Sequence, residues 1–326
     1  MTFSAPKSAS VLFGIGDPEM QATIRDAHQR AVASAFAYFE DAVSVARRGA
    51  GGCRKIDGRG LTAASFLHRT SRAGDPQLHT HVVVANLIQG VDGRWSALDG
   101  RLVYAHARYL YQSALREELT RRLGVRWRPV RKGMAEIDGV PEKALRAFSR
   151  RRVEIEEAMA RHGSAGRGAA QIAALATRRA KDRHVRPEAL VPEWRERATR
   201  HGLYEWRIER ICHRGTAIEP PDWDEIFVQL AGPEGLTRDR STFNRRDVIQ
   251  ALSSAAAGGA SVEAVRSAAT AFLAGPHAVA LVGSRAHDDE PRYSTPGLLA
   301  LESRIVDAAE RLRASGRGVV ARRSST

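Results

Sequence analysis

Three histidines form the most chemically readable feature of this 326-residue chain. His79 and His81 stand two apart in Gln77-Leu78-His79-Thr80-His81-Val82-Val83-Val84, whose β-branched content predicts a strand. Residues two apart on a strand project from one face, so the pair is a ready bidentate site. His68 lies near the end of a second strand-like run, Leu61 to Arg69, and Arg72-Ala73-Gly74-Asp75-Pro76 between the runs is a turn sequence. An antiparallel return at that turn brings His68 beside the other two as a third imidazole. Three imidazoles with open coordination positions describe a catalytic metal site, not a closed structural one. They suit Mn, Zn or Ni better than Mg, which prefers oxygen, and sequence does not choose among the four. A lone His-x-His is more often two satisfied or solvent-facing histidines. Three of the eleven histidines within fourteen residues, bracketed by strand and turn signals, weigh against that here.

The elements that must hold these residues are also legible. Ser4-Ala5-Pro6-Lys7 reads as a helix start with Ser4 as N-cap and Pro6 in the first turn. An alanine-rich helix is expected from Pro18 to Arg47, stopped by Gly49-Ala50-Gly51-Gly52. Leu61–Arg69 and Leu78–Ile88 make the antiparallel pair, and Asp92-Gly93 turns into another strand over Arg94–Leu98. A helix follows over Ala105–Leu123, then short strands near Val125–Val130 and Met134–Ile137. Three helices are expected between Glu142 and His201. Glu219-Pro220-Pro221 is the best linker signal in the second half. Helices near Arg245–Ala256 and Ser261–Leu273, a strand over His277–Val282 and a helix over Pro296–Ala314 complete the chain. The expected fold class is therefore α+β, with a mostly antiparallel sheet and a mainly helical C-terminal segment.

Charge points to the partner. The net charge is +14, almost all of the cations are arginine, and residues 1–230 hold 38 basic against 27 acidic side chains, an excess of +11. Such an excess favours polyanions, because cations that neutralise phosphates release condensed counterions. Cys53 and Cys212 form no CxxC pattern, which fits a reducing cytoplasm and excludes a disulfide or thiolate-zinc scaffold. No apolar stretch approaches the length needed to span a bilayer, so no membrane insertion is expected. His28, His106 and His162 are isolated and take no role.

The run His68-Arg69-Thr70-Ser71-Arg72-Ala73-Gly74-Asp75-Pro76-Gln77-Leu78-His79-Thr80-His81-Val82-Val83-Val84-Ala85-Asn86 closely resembles the metal-site motif of MobF-type conjugative relaxases. Thr2-Phe3-Ser4-Ala5-Pro6-Lys7-Ser8 resembles a second motif of that family, in the family's order. Similarity continues through Asp92–Asp99, Tyr104–Ala107 and Ala174–Lys181, covering residues 1 to 213. The resemblance implies a HUH endonuclease: an antiparallel sheet with flanking helices that holds a divalent metal through His68, His79 and His81. It implies nicking of one strand at a plasmid transfer origin through a tyrosine, with the metal polarising the scissile phosphate. The partners implied are single-stranded or hairpin transfer-origin DNA and other conjugation proteins. Lys7 and Ser8, at the N-terminus of the first helix, and Arg69 and Arg72, beside the metal motif, are candidate phosphate contacts.

In that family the nucleophilic tyrosines lie upstream of the Thr-Phe-Ser-Ala-Pro-Lys motif, and an aspartate sits two residues before its threonine. Here Met1 directly precedes Thr2, so the expectation is a chain without its nucleophile, inactive or a fragment. The alternative is a metal-containing module that binds DNA without cutting it. A metal hydrolase of small substrates has the ligands but no carboxylate base placed by any motif. Tyr109 and Tyr111 are expected to be helix-packing aromatics. Ser241–Val248 and Tyr293–Pro296 resemble the segment that leads into this family's helicase. No Gly-Lys dipeptide occurs, so no phosphate loop and no ATP site are expected. The domains expected are 1–213, relaxase-like, and 214–326, a linker with the start of a helicase-like region.

Overall fold

A computed structural model describes residues 1–49, 54–98, 107–161, 163, 166–177, 187–212, 219–281 and 291–315. The chain forms two compact units, Met1–Pro221 with Ala256–Val262, and Asp222–Ala255 with Glu263–Thr326. The expected division at 213/214 falls on residues 213–218, outside those described.

The first unit opens with strand β1 (Thr2–Ser4), helix α1 (Lys7–Ile15) and helix α2 (Pro18–Val43). Ser4 is thus a strand residue and not the expected helix cap, because the backbone of Thr2–Ser4 is paired to a strand far along the chain. α2 starts as its sequence dictates: the Asp17 side chain accepts from the Met20 amide, with Pro18 in the first turn. It ends at Val43, short of the expected Arg47, since Val45–Arg48 leaves the helix as β2 to pair antiparallel with β3 (Arg54–Asp57). Ala50–Cys53 lie outside the described residues.

β4 (Ala63–Thr70) and β5 (Pro76–Val84) are the expected antiparallel pair, and β5 lies between β1 and β4. β6 (Ile88–Gln89) and β7 (Trp95–Ser96) form a two-stranded ribbon over the Asp92-Gly93 turn. Along β5 burial alternates with the strand period: Pro76, Leu78, Thr80 and Val82 are buried while Gln77, His79 and His81 are half-exposed. The buried face meets the helices. There Phe3 lies 5.3 Å, ring to ring, from Tyr111 on α3 (Ala107–Leu123). The short strands expected after α3 are reduced to isolated bridges, Trp127 to Ile137 and Arg131 to Met134.

Beyond them come α4 (Glu142–Ala147), α5 (Arg150–Arg161), α6 (Arg167–Ala176), a 3-10 turn at Pro187–Leu190, α7 (Val191–Arg200) and α8 (Glu205–Ile211). Among the described residues, four α-helices therefore stand in Glu142–His201 where three were expected. The chain returns to this unit at Ala256–Val262, held against α3: the Ser113 hydroxyl donates to the Ala260 carbonyl and the fully buried Arg116 donates to the Ala256 carbonyl.

The second unit holds α9 (Trp223–Ala231), α10 (Arg245–Ala255), α11 (Val262–Ala274), the paired strands β8 (Val279–Ala280) and β9 (Tyr293–Ser294), and α12 (Pro296–Ala314). Phe227, Phe243 and Phe272 pack together at its centre, the Phe272 ring stacking on His277. None of the side chains of α12 is buried. No helix among the described residues is long and apolar enough to cross a membrane.

His28 is fully buried on α2 and bridges two elements, its Nδ1 2.8 Å from the Tyr111 hydroxyl and its Nε2 2.8 Å from the Thr80 hydroxyl. Burial, with a smaller contribution from nearby His79, pulls its pKa down to about 4. A depressed folded value means that the unfolded chain takes up the proton first. The stability contributed is complete above about pH 6.5 and is lost as pH falls to about 4, roughly 3 kcal/mol in total. Urea denaturation of the parent and of His28→Gln at pH 7, 5.5 and 4 should show that the variant lacks this part of the acid sensitivity.

Candidate metal centre

The site begins with register. On β4 and β5, His68 stands directly opposite His79, and Phe66 opposite His81. Cross-strand partners share a face, so His68, His79 and His81 all project from the side away from α2 and α3. The three imidazole centroids are each 5.0 Å from the other two, with ring planes crossing at 74° to 88°. One ligand nitrogen from each lies within 4.8 Å of the others. This is the only cluster of three such groups among the described residues.

The turn that sets this register is built from side chains. Gly74 adopts φ +73°, a conformation that costs a side-chain-bearing residue. The Ser71 hydroxyl accepts from the Ala73 and Asp75 amides, and the Ser71 amide donates to the Asp75 carbonyl. Asp75 is 1% exposed and receives three hydrogen bonds: the Arg150 amide and Nε, and Arg197 Nη1 at 2.8 Å. Trp194 Nε1 and Arg150 Nη2 donate to the Gly74 and Ala73 carbonyls. α5 and α7 thereby hold the hairpin end.

Two of the imidazoles are also oriented from behind. His79 Nδ1 is 2.8 Å from the Gln77 carbonyl, an acceptor only, so it carries the proton and leaves the Nε2 lone pair free. His81 Nδ1 is 2.9 Å from the Thr2 hydroxyl, which β1 brings opposite it. A carbonyl behind a metal-binding imidazole fixes both ring orientation and tautomer, and a hydroxyl there fixes the orientation. Burial is the largest effect lowering the pKa of His79. The Gln77 bond opposes it, while His81, His68 and Lys7 add to it, so His79 stays neutral and able to coordinate. The donor set therefore fits a divalent ion that accepts nitrogen.

The expected DNA contacts fall out differently. Lys7 Nζ donates to the Pro76 carbonyl and to Gln77 Oε1, one alternate residue along the strand from His79. Burial brings its pKa down to about 8, with Asp75 and Glu136 raising it. Ser8 is fully buried and its hydroxyl accepts from the Ile137 amide. The amides of Lys7 and Ser8 at the start of α1 are taken by the Glu136 carboxylate, so a phosphate there would have to displace it. Arg69 donates to Glu188 in an exposed pair, and Arg72 is exposed at the turn. Tyr111 is sealed in the core with its hydroxyl on His28, on the far side of the sheet from the three histidines. Tyr104, His106 and His162 lie outside the described residues.

Two groups escaped the sequence reading. Thr2 is one, because its contact spans 79 positions. The other is the β2–β3 ribbon, whose register sets Arg47 opposite Lys55 and Arg48 opposite Arg54. Like charges directly opposite destabilise a ribbon unless an anion or counterion intervenes. Arg48 turns to Asp92, the Arg94 carbonyl and Ser96, whereas Arg54 and Lys55 are exposed. Paired basic residues flanking the sequence Gly49-Ala50-Gly51-Gly52 were the available signal.

Known proteins agree with this geometry. The TrwC relaxase family matches residues 1–201. The multifunctional conjugation protein TraI of Escherichia coli is 34% identical over 274 residues, covering 79% of this chain, which spans only 14% of the relative's length. The metal-bound conjugative relaxase TrwC in complex with oriT DNA is similar at TM-score 0.56 and 34% identity, over 62% of this chain and 71% of that one. TrwC complexed with a 27-mer DNA comprising the recognition hairpin and the cleavage site matches at TM-score 0.56 and 33% identity, over 62% and 73%.

Calorimetry with manganese or zinc should find one divalent site in the parent. The His79→Ala, His81→Ala double variant should lose it, and Thr2→Val should weaken it about tenfold through loss of the orienting hydroxyl. Equal affinities in parent and double variant would remove the assignment.

Proposed function

This chain belongs to the TrwC relaxase family, and from that premise we propose that it binds single-stranded and hairpin transfer-origin DNA and presents a phosphate to the His68, His79, His81 centre for strand transfer in conjugation. The observation that carries the reading is the equidistant histidine triad on the open face of the sheet, in a family whose solved members hold oriT DNA. A divalent ion held by the three imidazoles supplies Lewis-acid stabilisation of the charge developing on a phosphate oxygen.

The chain's own residues do the rest. β4 and β5 fix the three ligand nitrogens, the Gln77 carbonyl sets the tautomer of His79, and the Thr2 hydroxyl orients His81. Lys7, held at Gln77, offers an ammonium beside the histidine face for a non-bridging phosphate oxygen. Arg72 and the exposed Arg54 and Lys55 offer positioning contacts to the backbone. A two-stranded ribbon like β2–β3 has the dimensions that a duplex major groove admits, which suits the stem of a hairpin. On this reading the protein would work on DNA in the cytoplasm. Residues 1–213 would be the DNA-handling part and 214–326 the lead into a helicase-like region.

The second reading is DNA binding without cleavage, and the placement of the two tyrosines of α3 bears on which residue could cut. Tyr111 cannot serve as nucleophile from its position behind the sheet, and Tyr109 lies against Gly133, where an added Cβ would meet its ring at 2.4 Å. A nucleophile that attacks in line must sit within about 3.5 Å of the phosphorus.

Two measurements test the proposal. Affinity for a single-stranded transfer-origin oligonucleotide should fall with salt at about −0.7 in log–log slope per phosphate neutralised, and salt-independent binding would count against a nucleic-acid partner. Any denaturation-resistant protein–DNA band formed with manganese should persist in Tyr111→Phe; its disappearance in a variant that still binds DNA would make Tyr111 the nucleophile.

A further inference from the structure

We propose that Tyr204 and Trp206, with the arginines of α8, form a stacking platform for the bases of single-stranded nucleic acid, outside the three-histidine cluster. The TrwC relaxase family matches the chain up to His201, three residues before Tyr204, and the similarity to TraI continues past it. The platform rests on the reading that the chain binds DNA.

Tyr204 is 42% exposed and Trp206 50% exposed, although large aromatic rings are usually well covered. Their ring planes are nearly parallel, 13° apart, with centroids separated by 6.1 Å. Guanidinium groups flank the indole, Arg207 at 5.3 Å and Arg210 at 6.0 Å from its ring. Lys143 from α4 joins them: a Cβ built on Gly202 would lie 3.3 Å from Lys143 Nζ and 3.7 Å from Arg207 Nη1, so the two cations share one small space. Glu205 and Glu209 are the exposed acids on the same helix.

Flat π faces interleaved with cations are what sequence-tolerant single-strand binding needs, since every base has a face to stack and a phosphate to neutralise. A protein-docking patch would also use Tyr, Trp and Arg, but it would be built around an apolar centre. On α8 that centre is missing, because Ile211 is buried within the unit and Ile208 is half-covered. The exposed apolar surface there is aromatic only. Tyr204 precedes the first turn of α8 and Trp206 lies in that turn, so their backbone is fixed before a ligand arrives.

The test uses the full chain and an oligothymidine of about 20 nucleotides, with affinity read by fluorescence anisotropy across a salt series. Trp206→Ala should weaken binding about tenfold at every salt concentration with the log–log slope unchanged, because an uncharged contact is lost. Trp206→Phe should restore most of the affinity, and Arg207→Ala with Arg210→Ala should reduce the slope. If the parent binds and Trp206→Ala binds equally, the platform is overturned while the DNA-binding reading stands. A parent that fails to bind at low salt overturns both. If Trp206→Ala leaves DNA affinity intact and instead abolishes self-association in the ultracentrifuge, the patch is a protein interface and the proposal falls.

Discussion

A buried carboxylate at the hairpin turn governs everything the histidines can do. Asp75 is taken out of water and answered by Arg150 and Arg197, which come from two different helices. Removing one partner of such a pair costs on the order of 3–5 kcal/mol, far more than an exposed ion pair contributes. The position of the cost matters as much as its size. The turn fixes which residue of β4 faces which residue of β5, and a slip by one would send His79 and His81 into the helical face. Helices that never touch a ligand nitrogen therefore decide whether three of them converge.

The two faces of β5 are built to opposite specifications. Behind it, Thr80 joins His28 and Tyr111 in a buried chain of hydrogen bonds, and Leu78 and Val82 are buried. In front, the same backbone carries half-exposed imidazoles whose rear nitrogens are held by a carbonyl and a hydroxyl. The rear face supplies rigidity, and the front face keeps lone pairs free for a ligand. Lys7 is placed on the edge between them, partly desolvated and still hydrogen-bonded to the strand. Glu136 closes the adjacent helix start, leaving that ammonium as the cation that α1 presents beside the histidines.

What sequence made legible was local or periodic. His68, His79 and His81 could be found because strand alternation and a turn of five residues act over short distances. The hairpin and the long first helix followed for the same reason. Contacts that join distant positions were hidden: Thr2 to His81, Ser8 to Ile137, and the Glu136 carboxylate on α1. Each altered a local expectation. Ser4 had the chemistry of a helix cap and became a strand residue, since pairing with β5 satisfies its backbone better than a cap would. Ser8 looked like a phosphate ligand and is instead an internal acceptor. The C-terminal end of α2 gave way to β2 because Val45–Arg48 finds a partner strand in Arg54–Asp57.

The segment Ala256–Val262 has a consequence for divisibility. It belongs with the first unit although the residues on either side of it belong with the second, so the polypeptide passes from one unit to the other three times. A fragment cut at the boundary of the recognised family, or at Pro221, would retain every histidine and every strand of the sheet. It would nevertheless lose the carbonyls that receive Ser113 and Arg116, and would open a cleft beside a guanidinium that is fully enclosed in the intact fold. The first compact unit is thus not a contiguous stretch ending where the resemblance ends. It is two pieces of chain, and the second, seven residues long, is supplied from inside its neighbour's sequence.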